Sequence, residues 1–152
     1  MQILEEHGEP DVFAYNALIS GFCKANQIVS ANKVFDRMKR RGFLPDVVTY
    51  NIMIGSLCSR GKLDSALKVL DQLMKDKCEP TVITYTILIE ATILEGGIDE
   101  AMKLLDEMLL RRLRPDMYTY NAVIRGMCKE GMVDRAFEFV RSLKSKGDRK
   151  ST

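Results

Sequence analysis

The sequence predicts an all-α fold, a right-handed superhelical solenoid of helix-turn-helix hairpins that repeat every 35 residues. Three observations lead there. Prolines stand at positions 10, 45, 80 and 115, one period apart. Similar strings follow them: DVFAYNALISGFCK from Asp11, DVVTYNIMIGSLCS from Asp46, TVITYTILIEATIL from Thr81 and DMYTYNAVIRGMCK from Asp116. Within these strings apolar residues recur at steps of three and four, the spacing of an amphipathic helix. A unit of this size is one supersecondary element, too small to hold a core alone, so neighbours must share one. Function in such an array falls on residues that recur along one exposed face.

Residues 1–11 form the tail of a preceding unit, and repeats follow at 12–46, 47–81, 82–116 and 117–151. Repeat two shows the pattern best. From Val47 to Ser59 the apolar residues are Val47, Tyr50, Met53, Ile54, Leu57 and Cys58, which line one helical face. Asp46 precedes them as N-cap, and Pro45 blocks backward extension of the helix. Gly61 breaks the chain, and a second helix is expected from Asp64, again as N-cap, with Ala66, Leu67, Val69, Leu70, Leu73 and Met74 apolar. The turn between helices has Asn26 in repeat one, Gly96 in repeat three and Gly131 in repeat four, residues that tolerate a left-handed backbone. Ala31, Ala66, Ala101 and Ala136 align where two helices cross closely. The tyrosine column (15, 50, 85 and 120) and the isoleucine column (19, 54, 89 and 124) share one stripe and read as core. So do Met38, Leu73, Met108 and Leu143.

Composition narrows the function classes. Hydrophobic residues make up 46% of the chain, enough for a packed core. No apolar run approaches the roughly 20 residues that span a bilayer, so no membrane partner is expected. The opening MQILEEHGEPD is acidic and shows no signal or transit peptide. Net charge is +2, unevenly spread: −4 over 1–11, +4 over 12–46, +1 over 47–81, −3 over 82–116 and +4 over 117–152. Cys23, Cys58 and Cys128 share a register with Ile93, which suggests a small buried position in a reducing compartment. His7 is the single histidine and no Cys-x-x-Cys pair occurs, so zinc and other cofactors are not expected. Nothing in the chain suggests an enzyme.

A 35-residue hairpin reading V-x-T-Y-N-x-L-I-x-G-x-C-K, then G-x-x-D-x-A, then Met, Gly and Pro-Asp, resembles the pentatricopeptide repeat family in its uniform-length form. The tetratricopeptide repeat has another period and a Trp signature, and this chain has no Trp. The resemblance covers 12–151 and implies a plant organellar protein, of chloroplast or mitochondrion, that binds single-stranded RNA at one base per repeat. Such a protein would serve RNA processing or stabilisation. In that family the fifth and last residues of a repeat read the base edge and the second residue packs against the base. Carried over, base reading falls to Asn16 with Asp46, Asn51 with Thr81, Thr86 with Asp116 and Asn121 with Ser151. Base stacking falls to Phe13, Val48, Ile83 and Tyr118. Lys24 and Lys129 match the family's phosphate-contacting lysines, whereas Ser59 and Leu94 depart from them. The family code then implies 5′-U-(C/U)-G-C-3′.

The residue pattern supports that face from its own spacing. Positions two, five, nine and thirteen of a helix lie together, opposite the tyrosine–isoleucine stripe. Glu90 brings a negative charge to it in repeat three. Two alternatives stay open at this point. Helical hairpin arrays also hold peptides in their grooves, so a protein-binding scaffold is the competing class. Uncapped ends of such an array also favour end-to-end self-association.

Overall fold

The computed structural model describes residues 11–95 and 97–151, with side chains through residue 145 in the last helix. Every regular element among the described residues is helical: α1 (Val12–Lys24), α2 (Ile28–Arg40), α3 (Val47–Ser59), α4 (Leu63–Lys75), α5 (Val82–Leu94), α6 (Ile98–Leu110), α7 (Met117–Lys129) and α8 (Val133–Ser151). Successive helices pack as hairpins, and no described helix is long and apolar enough to cross a membrane. The chain divides into two compact units between Thr84 and Tyr85, within α5.

The first helix of each hairpin begins at a side-chain cap. The carboxylates of Asp11, Asp46 and Asp116 accept the N–H of Ala14, Thr49 and Thr119 at 2.9, 3.0 and 2.9 Å. The Thr81 hydroxyl does the same for Thr84 at 3.4 Å. Each such cap stabilises its helix by about 1 kcal/mol. The second helices start differently, and Asp64 is not a cap. Helix α4 begins at Leu63 with Lys62 as N-cap and no side-chain hydrogen bond. Gly61, at φ +75°, turns the chain so that the Lys62 N–H donates to the Leu57 carbonyl at 2.9 Å. The Lys62 carbonyl then accepts from Ala66 at 3.1 Å, so backbone geometry alone starts the helix. Asp64, in the first turn, still favours the positive helix end. Asn26 and Gly131 turn the same way, at φ 63° and 71°. Gly96 lies outside the described residues.

In the first unit Tyr15, Ile19, Ala31 and Met38 are buried together, with Phe35 and Phe43 packed against them. Tyr15 meets Phe43 at 5.6 Å between ring centroids, and Phe35 meets Tyr50 edge-on at 5.9 Å. Tyr50 also donates its hydroxyl to Asp76. In the second unit Tyr85, Leu88, Ile89, Ala101, Leu105, Met108, Val123 and Met127 are buried. The tyrosine and isoleucine columns are therefore core in repeats one to three, and Tyr120 and Ile124 are half-buried. The cysteine column departs from expectation. Cys23 and Cys58 are half-buried and Cys128 is exposed. That register lies in the last turn of the first helix, beside exposed Lys24, Ser59 and Lys129, which leaves the thiols partly uncovered.

Repeat four ends differently from the others. Helix α8 spans 19 residues, whereas α2, α4 and α6 span 13 each. Lys150 stands where Pro45, Pro80 and Pro115 stand, so no proline ring ends the helix ahead of Ser151. The side chain of Ser151 lies outside the described residues.

Candidate nucleic-acid interface

The second residues of the first helices are exposed and largely apolar in every repeat. Phe13, Val48, Ile83 and Tyr118 keep 82%, 49%, 63% and 57% of their surface in solvent. Single exposed apolar side chains are ordinary, but the same register four times over is a built feature. Lys24 and Lys129, one helix length further on, are exposed, as are Ser59 and Leu94.

The fifth residues are less open than a helical wheel suggests. Asn16 and Thr86 are buried, each only 8% exposed, Asn51 is half-buried and Asn121 is exposed. The cover comes from the start of the following repeat. Thr49, 33 residues after Asn16, donates its hydroxyl to Asn16 Oδ1 at 2.5 Å. Asn16 Nδ2 donates to Asp46 Oδ1 at 3.1 Å, and the Thr49 hydroxyl lies 2.9 Å from that same oxygen. The Asp46 N–H donates in turn to Thr49 Oγ1 at 3.1 Å, completing a capping box. Fifth residue, last residue and next third residue thus form one closed hydrogen-bonded juncture.

The juncture recurs within each unit. Thr84 donates to Asn51 Oδ1 at 2.6 Å, and its oxygen lies 3.2 Å from the Thr81 hydroxyl and accepts the Thr81 N–H at 3.0 Å. In the second unit the Thr86 and Thr119 hydroxyls are 2.7 Å apart, and Thr119 Oγ1 donates to Asp116 Oδ1 at 2.9 Å. Thr49, Thr84 and Thr119 are fully buried. These threonines are the residues that sequence reasoning passed over. Their signal was the T of V-x-T-Y-N, which recurs at the period, with Ala14 in its place in repeat one.

The two aspartates are held ionised. Burial pushes the Asp46 carboxyl upward, but the Thr49 N–H, the Asn16 amide and the Thr49 hydroxyl together bring it below its ordinary value of 3.8. The Thr119 N–H and then its hydroxyl lower Asp116 likewise. On the same face of the second unit, Glu90, Ala122, Arg125 and Lys129 help line a hollow of about 290 Å³. Tyr118 donates its hydroxyl to Glu90 at 2.9 Å, a hydrogen bond that raises the tyrosine pKa. Among the described residues, no cluster of His, Cys, Asp and Glu could hold a metal ion.

The profile of the PPR repeat family matches residues 10–59 and 45–93. Two related PPR repeat profiles match residues 83–113 and 111–144. No curated protein sequence matches significantly. Among solved structures, the pentatricopeptide repeat protein PPR10 from maize superposes with TM-score 0.85 at 28% identity. The match covers 96% of this chain and 21% of that one, so the chain spans about a fifth of its length. A structure of PPR10 in complex with an 18-nt psaJ RNA element superposes with TM-score 0.80 at 26% identity, covering 95% of this chain and 22% of that one. The PPR domain of Arabidopsis thaliana protein-only RNase P 1, in complex with tRNA, shares the fold at TM-score 0.75 and 15% identity, over 95% of this chain and 77% of that one.

Proposed function

Since the chain belongs to the pentatricopeptide repeat family, with profile matches from residue 10 to residue 144, we propose that it binds single-stranded RNA one base per repeat. The observation that carries the reading is the recurrent juncture. Beside the exposed second residues of repeats one to three, a fifth and a last residue are linked, directly or through the next third residue. The maize relative, similar along nearly the whole of this chain, is a protein whose structure holds RNA. The proposed order of bases is 5′-U-(C/U)-G-C-3′. Asn16 with Asp46 takes uracil, Asn51 with Thr81 either pyrimidine, Thr86 with Asp116 guanine, and Asn121 with Ser151 cytosine.

Affinity comes from the second residues and the lysines. Stacking on an aromatic such as Phe13 or Tyr118 contributes roughly 1–3 kcal/mol per base. With about two to four phosphates neutralised, log affinity falls against log salt with a slope of roughly −1.4 to −2.8. An organellar setting and a part in RNA processing or stabilisation belong to the same proposal.

Titrating a labelled oligonucleotide that contains UCGC, against a scrambled one, at several salt concentrations tests it. The expected result is preference for UCGC with a salt slope in that range. Equal, salt-independent binding of both overturns the RNA reading in favour of a peptide-binding scaffold.

A further inference from the structure

We infer that the buried third residues Thr49, Thr84 and Thr119 are specificity-positioning residues, each relaying a hydrogen bond that decides whether the preceding fifth residue meets a base as donor or as acceptor. The inference rests on the RNA reading above and concerns residues that do not touch the base.

A hydroxyl has one proton and two lone pairs, whereas an ionised carboxylate only accepts. In the second unit Thr119 Oγ1 lies 2.9 Å from Asp116 Oδ1 and 2.7 Å from Thr86 Oγ1. Because Asp116 cannot donate, the Thr119 proton goes to it. Thr86 must then donate its own proton to Thr119, which leaves only lone pairs for the groove. Thr86 is therefore an acceptor by construction, suited to the N–H edge of guanine. With Asn16 the sign is opposite, because an amide oxygen, unlike the Thr86 hydroxyl, has no proton to give. Asp46 takes one amide N–H directly and the Thr49 proton goes to the amide oxygen at 2.5 Å, so the second amide N–H is the group left for a base, a donor. That suits a base carbonyl, as on uracil.

The middle juncture shows what happens without the carboxylate. Thr84 gives its proton to Asn51 Oδ1 at 2.6 Å, so the Thr81 hydroxyl, 3.2 Å from Thr84 Oγ1, is the donor of that pair. A hydroxyl committed in this way does not anchor an Asn51 N–H as the Asp46 carboxylate anchors Asn16, so repeat two accepts both pyrimidines. The three junctures thus differ in selectivity through the last residue that ends each relay.

The test uses the full chain and oligonucleotides that differ only at the third base. Thr119→Val keeps the shape and the cap from the residue 119 N–H to Asp116 but removes the relay, freeing the Thr86 hydroxyl to donate or accept. Wild-type preference for guanine over adenine or uracil is expected to be about tenfold, the worth of one well-placed hydrogen bond. It should fall to about twofold or less in Thr119→Val, and Thr119→Ser should restore it. Unchanged preference in Thr119→Val overturns the relay, as does an equal loss of affinity for every oligonucleotide. A wild type indifferent to the third base instead overturns the RNA reading beneath it. If Thr119→Val does not fold, Thr81→Asp decides: closing the relay in repeat two should narrow its tolerance to one pyrimidine. Tolerance of both after that change rejects the inference.

Discussion

At Asp46 one carboxylate oxygen accepts the Thr49 N–H and the Asn16 amide and lies 2.9 Å from the Thr49 hydroxyl, so the cap and the proposed base reader draw on the same charge. The sign of the pH response follows. The folded carboxyl titrates below its ordinary 3.8, so on acidification the unfolded chain takes up its proton first. Its contribution to stability is complete above that value and is lost as pH falls through the lowered folded pKa. Melting temperature measured from about pH 7 down to about pH 3 should drop less steeply in Asp46→Asn, which keeps a cap without the charge. An unchanged acid limb would show that Asp46 contributes nothing there. The register of Asn16, Asp46 and Phe13 was legible in the sequence, but the burial of Asn16 was not. A helical wheel counts neighbours on one helix, and the residue that covers Asn16 lies 33 positions away.

Among the elements, the contact of α5 with α7 depends on an absent side chain. A Cβ placed on Gly126 would stand 2.8 Å from Ile93 Cγ2 and 3.3 Å from Ile98 Cδ1. Gly126→Ala gains up to about 1 kcal/mol in helix propensity. Overpacking costs about 1–3 kcal/mol, so net destabilisation is expected. Chemical denaturation should show it, and Ile93→Cys, the residue of repeats one, two and four, should recover part of the loss. A variant more stable than wild type would mean that the helices separate freely. Gly21, in the same register, has nothing within 4 Å of such a Cβ, so Gly21→Ala serves as the control. The helices themselves were legible from apolar spacing, proline and aspartate. The start of α4 was misread because Asp64 looks like a cap, whereas the left-handed Gly61 already closes the backbone at Lys62.

On the scale of the whole molecule, the period was visible in the prolines, and its interruption at the last helix, where Lys150 takes the proline position, appears in the backbone as a 19-residue helix. Ile124 and Cys128 of α7 and Val133, Ala136, Phe137 and Val140 of α8 help line an apolar trough of about 370 Å³. Val140 keeps 37% of its surface in solvent, yet Leu70 and Leu105 in its register keep 4% and 2%. The junctures also bear on how such chains can be cut and joined. Asn16 is completed by Thr49 and Thr86 by Thr119, so no 35-residue block between these prolines contains its own complete juncture. A transferable cassette would have to run out of phase with the repeat, from the fifth residue of one hairpin through the third residue of the next. Grafts spliced at the Pro-Asp boundary carry half of each juncture, and the host sequence supplies the other half.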